Sequence, residues 1–235
     1  MPDPFSCRDP NVAATAALIA DPTRAAMLAA LLDGCALPAG ELAWAAGITA
    51  QTASAHLSKL LDGGLLAVER QGRHRYYRLA GPHVAQAIEY LAAIVPVRRR
   101  RPNAQARRVR HARFCYDHLA GRLGVAVAEA LQRRDLIVAM PDKRFEVTAA
   151  GIDWFAALGI DARGPDGEGR QCLDWTERTH HLAGPLGRRL VTVLLSRNWL
   201  RRRAETRLIE VTPPGAAAIK DLFGFDPNVL EREGV

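Results

Sequence analysis

Residues 41–79, ELAWAAGITAQTASAHLSKLLDGGLLAVERQGRHRYYRL, constrain the fold more than any other stretch of this chain. Glu41–Ala46 carries Leu42, Ala43 and Ala46 at helical spacing. Gly47 follows, and a residue without a Cβ can end a helix at positive φ and turn the chain. Ile48 plugs that turn, and Thr49 stands where an N-cap is needed for a second helix. In that helix Ala53, Leu57 and Leu60 recur at i, i+4 and i+7, forming one apolar stripe to bury. Gln51, Thr52, Ser54, Ser58 and Lys59 lie mostly off the stripe. Gly63-Gly64 stops the helix, and Leu65–Arg70 and His74–Leu79 read as strands around the tip Gln71-Gly72-Arg73.

A helix, a tight turn, a second helix and a basic hairpin, in that order, make a winged helix-turn-helix. Its second helix is shaped for the major groove of double-stranded DNA. In this reading Gln51, Thr52, Ser54 and His56 supply base-edge or nearby phosphate contacts. Ser58, Lys59 and the wing residues Arg70, Arg73, His74 and Arg75 hold the backbone. A purely structural helix pair, or a winged helix that binds protein instead of DNA, is the competing reading. The arginines on the hairpin argue against both.

Together with ADPTRAAMLAALLDG at residues 20–34, this segment resembles the ArsR/SmtB family of bacterial repressors. The likeness runs through Asp21, Pro22, Thr23, Arg24, Met27, Leu28 and Leu31, then Thr52, Ser54, His56, Leu57 and Leu60. In the hairpin it runs through Gly72, Arg73, Tyr76, Tyr77 and Leu79. It covers about residues 12–97, and Ala55 stands where members often carry arginine. The resemblance implies a homodimer on a palindromic operator, released when an effector binds. It does not bring the family's usual metal sites with it. Pro38-Ala39-Gly40, with only Cys35 nearby, replaces a Cys-x-Cys. The helix over about Pro82–Val97 offers His83 and Glu89 without the paired Asp and His.

With 235 residues, 49% of them hydrophobic, the chain is globular and long enough for one or two cored domains. Its apolar runs, such as Leu91–Val97, are too short to span a bilayer. MPDPFSCRDP lacks the basic-then-apolar order of a secretory signal. Cys7, Cys35, Cys115 and Cys172 are scattered, unlike a disulfide framework. The expectation is therefore a cytoplasmic protein with reduced thiols and no membrane partner. The net charge of +7 traces to RRRRPNAQARRVRHAR at residues 98–113, which has eight arginines and no acid. It reads as an Arg-rich linker, a solvated joint in preference to a phosphate-backbone contact.

The second half repeats itself. HLAGRLG at 118–124 returns as HLAGPLG at 181–187, EVT at 146–148 returns at 210–212, and Gly151 returns as Gly215. Each copy, about 115–161 and 172–226, reads as helix, hairpin, helix, winged-helix-like, and neither can close a core alone. The chain is thus expected to be mainly α with small β-hairpins (α+β). Its expected parts are a DNA-binding and dimerisation domain at 1–97, the linker at 98–113, and a C-terminal sensor domain at 114–235. The loop Ala162–Gly169 would join the two copies.

Each copy opens on a similar cluster: Cys115-Tyr116-Asp117-His118, and Cys172-Leu173-Asp174-Trp175 followed by His180-His181. Cys115 and His118 stand at i, i+3, on one side if helical. Thiolate and imidazole suit zinc and other thiophilic metals. If the copies pack symmetrically, Cys115, His118, Cys172 and His181 meet between them. Several alternatives stay open: packed cysteines with Asp117 and Asp174 as helix caps and no cofactor, a redox thiol pair, or an organic-effector pocket near Trp154, Trp175 and Trp199. An enzyme built on this cluster is the least supported reading, because there is no phosphate-cradling glycine loop, nucleophile elbow or HExxH. The sequence thus points to a DNA-binding regulator, with the effector unnamed.

Overall fold

Asp21 shows how local chemistry starts this fold. Its carboxylate accepts a 2.9 Å hydrogen bond from the Arg24 amide, and Pro22 occupies the first helical position, so α2 (Pro22–Ala30) begins there. The computed structural model describes residues 12–71, 74–94, 104–203 and 207–232. The chain divides into two compact units, Met1–Val84 and Ala85–Val235.

In the first unit α1 (Val12–Ala20) and α2 precede a short strand β1 (Leu37–Pro38), α3 (Ala39–Ala45) and α4 (Ala50–Asp62). Gly47 sits at φ +66° between α3 and α4, where a side chain would be strained. The Thr49 hydroxyl caps α4 by accepting from the Thr52 amide. Ala53, Leu57 and Leu60 face inward and join Met27, Leu28, Leu31 and Leu42 in a closed core. Each such leucine contributes about 1.5–3 kcal/mol by leaving water. Strands β2 (Leu66–Gln71) and β3 (His74–Leu79) form the hairpin, and β1 adds antiparallel to β3 through Leu37 and Tyr77.

Helix α5 (Pro82–Ile94) starts in the first unit and runs into the second. The division thus falls thirteen residues before the boundary read from sequence. Within the second unit Glu89 is buried and paired with Arg207 at 3.1 Å, which ties this helix to the C-terminal half.

The stretch read as a linker is structured where it is described. Residues 104–111 form α6 (Ala104–His111), and Arg113 begins strand β4 (Arg113–Cys115) with a fully buried side chain. Arg98 to Arg101 lie outside the described residues. After β4 come β5 (His118–Ala120), α7 (Gly121–Arg133), β6 (Ile137–Ala139), β7 (Arg144–Val147) and α8 (Ala149–Ala157). A short turn of 3-10 helix at Pro165–Gly167 leads to β8 (Gly169–Leu173), β9 (His180–Ala183), α9 (Gly184–Ser196), β10 (Leu200–Arg202), β11 (Ile209–Val211), α10 (Pro213–Phe223) and α11 (Pro227–Arg232).

Each half of this unit is therefore hairpin, helix, hairpin, helix, one hairpin more than the sequence suggested. The EVTxxG motif has the same job twice. Thr148 and Thr212 donate back to the carbonyls of Asp135 and Asn198 at 2.6 Å, and accept from the amides of Gly151 and Gly215 at 3.0 Å. Each threonine thus pins a hairpin to the start of the next helix. The halves also exchange strands. β7 pairs with β8 in a four-stranded sheet ordered β6-β7-β8-β9. In return Arg113 bridges Leu208, and the Phe114 amide donates to the Arg207 carbonyl at 2.8 Å. One core runs through both halves, including Leu123, Val127, Leu131, Phe155, Leu186, Leu190, Leu194, Ile219 and Phe223. Among the described residues no single helix is long and apolar enough to cross a membrane.

Candidate functional site

Two surfaces carry chemistry. On α4 the apolar stripe is buried, and that leaves Gln51, Thr52, Ser54, Ser58 and Lys59 exposed on the opposite side. The serines are held loosely. Ser54 Oγ donates to the Ala50 carbonyl at 3.1 Å and Ser58 Oγ to Asp62 at 3.3 Å, bonds on an open surface that a nucleic acid can replace. His56 faces elsewhere. It is half-buried, with Nδ1 3.6 Å from the Asp21 carboxylate at the start of α2, unlike the exposed Gln51 and Thr52. In the wing Arg70 and Arg75 are exposed cross-strand partners, whereas Arg78 is engaged by Glu69 at 2.7 Å. Arg73 lies outside the described residues, and His74 is placed on β3 by its backbone alone.

The second site lies in the C-terminal unit. Cys115 and His118 are not on a helix, as their spacing suggested. They are opposed residues of the β4–β5 hairpin. Tyr116 turns this hairpin at φ +60° and the Asp117 amide closes it onto the Cys115 carbonyl. Cys172 and His181 are opposed in the same way on β8 and β9. The nine-residue separation in the second copy against three in the first is loop length alone, because strand register restores the same cross-strand Cys–His pair. The four ligand atoms lie within 4.8 Å of one another and all four residues are buried. The two Sγ atoms are 3.9 Å apart and the two Nε2 atoms 3.1 Å apart.

A carboxylate stands behind each imidazole. Asp117 is 3.0 Å from His118 Nδ1 and is itself held by Arg188 at 2.7 Å. Asp174 is 3.5 Å from His181 Nδ1; it also accepts from Arg113 at 2.9 Å and from the Gly121 amide at 2.7 Å. That last bond caps α7 from the other half of the unit. Burial alone would raise the Asp174 pKa, but Arg113, His181 and Thr176 together hold it well below the usual carboxylate range. The imidazoles diverge. Burial opposes a charge on His118, yet Cys115 and Asp117 outweigh it and lift its pKa to about 9. Burial, the neighbouring His118 and Arg113 push His181 well below the usual value, and Asp174 offsets them only in part. The Cys115 thiol is pushed up by its contact with Cys172 and by burial.

Residues 19–69 match a family described as a helix-turn-helix domain. Over 219 residues the chain is 42% identical to the HTH-type transcriptional regulator YdfF of Bacillus subtilis, covering 90% of this chain and 96% of that protein. Over 88 residues it is 41% identical to the HTH-type transcriptional regulator CmtR of Mycobacterium tuberculosis, covering 37% of this chain and 74% of CmtR. This chain belongs to the ArsR/SmtB family of winged-helix transcriptional regulators. The solution structure titled as the cadmium metal-sensor CMTR of Mycobacterium tuberculosis is 39% identical over 39% of this chain and 95% of its own, with a TM-score of 0.31.

In this ArsR/SmtB regulator the Cys–His cluster lies at residues 115–181, beyond the helix-turn-helix match. Glu89, which the sequence offered on α5, is instead the buried partner of Arg207. His180 does not join the cluster. It neighbours His181 on β9, and successive strand residues point to opposite faces. Trp154 and Trp199 pack against the core, while Trp175 lies beneath Arg113 and Arg207, so the tryptophans do not line one pocket. Sequence reading passed over Arg113, counted among linker charges, and Gly124 and Gly187 of the repeated motif. A Cβ at Gly124 would stand 3.6 Å from the His181 Cβ, and one at Gly187 3.4 Å from that of His118. The histidine of the other half is thus an ordinary contact, and what excludes a side chain at each glycine is the Leu119 or Leu182 carbonyl, 2.5 Å from where a Cβ would stand. The duplication of HLAGxLG was the signal that held this information.

Proposed function

We propose that this regulator is a homodimeric, cytoplasmic repressor. In this reading α4 lies in the major groove of a palindromic operator, and an effector sensed in the C-terminal unit releases it. The observation that carries the reading is the division of α4. One face is fully buried, and the other presents Gln51, Thr52, Ser54, Ser58 and Lys59 to solvent beside the exposed wing arginines Arg70 and Arg75. Such a face reads base edges and phosphates. The C-terminal unit contributes two copies of one hairpin–helix–hairpin–helix element. The Cys–His cluster between them is the effector-responsive part. Binding to a duplex is tested by fluorescence anisotropy over a salt series. Affinity falling steeply with salt, by a slope of about −0.9 per phosphate neutralised, supports the reading. Salt-independent or absent binding overturns it.

A further inference from the structure

We infer that Cys115, His118, Cys172 and His181 hold one zinc-class divalent ion in tetrahedral S2N2 coordination, clamping the two halves of the C-terminal unit together. This rests on, and deepens, the proposed role of the cluster as the effector-responsive site.

The two like-atom separations already match a tetrahedral site, and all four ligand atoms lie within 4.8 Å of one another. With Zn–S near 2.3 Å and Zn–N near 2.05 Å, a tetrahedron requires S···S of about 3.8 Å and N···N of about 3.3 Å. The observed separations are 3.9 and 3.1 Å. Both imidazoles turn Nδ1 to a carboxylate, which leaves both Nε2 lone pairs for the centre. The Asp117 hydrogen bond at 3.0 Å fixes the tautomer and orientation of a metal-bound His118 imidazole, while Asp174 stands 3.5 Å from His181 Nδ1 without a hydrogen bond. Two thiolates and two imidazoles select zinc, cadmium or cobalt over magnesium or calcium. Four buried protein ligands leave no open position, so the ion is not catalytic.

The clamp follows from chain order. One Cys–His pair comes from the β4–β5 hairpin and the other from β8–β9, with α7, β6, β7 and α8 between them. Each hairpin also packs against a helix of the other half, β5 on α9 and β9 on α7. Forming the site therefore requires both halves to be folded and docked, and ion binding stabilises that docked state. The local net charge is compensated as well, because two thiolates neutralise the ion while Arg113 and Arg188 balance the two aspartates.

The test uses the full chain. Elemental analysis of purified protein is expected to give about one zinc per chain, and cobalt(II) replacement a tetrahedral d–d spectrum with sulfur-to-cobalt charge transfer. Cys172→Ser should abolish the charge-transfer pattern of two thiolates. Should that variant fail to fold, Asp117→Asn serves instead. Its residue touches His118 from the half-exposed side, and it should weaken zinc binding by about 10–100-fold with the fold kept. A six-coordinate cobalt spectrum, no stoichiometric metal, or a Cys115–Cys172 disulfide in place of metal would overturn the inference. Duplex binding by the same preparation separates the two readings. Intact DNA binding with no metal sinks only the inference. Metal bound with no DNA binding sinks the proposed function.

Discussion

Gln51 and Arg75 stand for two kinds of contact and should fail differently. Both are exposed, Gln51 on the first turn of α4 and Arg75 on the wing strand β3. Gln51→Ala should cost about 1–3 kcal/mol on the preferred duplex and almost nothing on random sequence, since base-edge bonds carry discrimination. Arg75→Ala should weaken all duplexes alike and lower the salt slope by about one. Equilibrium titrations on both duplexes at several salt concentrations separate these outcomes. Individual residues also show where a sequence misleads. Nothing in the pattern of α4 distinguishes His56 from Gln51. Its environment is set by Asp21, thirty-five positions earlier. Arg113 looked like one more linker charge because its partner Asp174 is brought to it only by the fold.

At the scale of elements, helices with a stripe, a cap and a stop were the most legible. The Ala53–Leu57–Leu60 stripe, the Thr49 cap and Gly47 each follow from local chemistry, and α4 has the expected bounds. Short strands were not. β4 and β5 are three residues each, too short for an alternation to register, so the i, i+3 spacing of Cys115 and His118 suggests a helix although they oppose one another across a hairpin. The repeated glycines give a sharp test. A Cβ at Gly124 or Gly187 would stand 2.5 Å from the carbonyl oxygen of Leu119 or Leu182. Gly124→Ala and Gly187→Ala should each destabilise the C-terminal unit by about 1–3 kcal/mol, read as a lowered thermal midpoint. Gly47→Ala instead should strain the turn before α4, leaving the C-terminal transition in place.

For the whole molecule, the C-terminal unit matters to regulation only if its state alters DNA affinity. An effector shifts an equilibrium no further than its preference for one state allows. Removing zinc with a chelator and restoring it should therefore change duplex affinity reversibly, by about 5–150-fold if coupling is of ordinary size. The family and the order of parts in the first unit were legible in sequence. The extra hairpins β4–β5 and β8–β9 of the second unit were not, because their strands of three to five residues are too short for an alternation to register, and neither was the β7–β8 pairing of Phe145 with Gly169, which joins the two halves. The account turns on α4 entering the major groove as one of a symmetric pair. Selecting duplexes from a random pool with the full chain, then sequencing them, tests this directly. The expected result is two inverted half-sites about one helical turn, 10–10.5 base pairs, apart centre to centre. A pool with no enriched sequence, or a single asymmetric site, would contradict it.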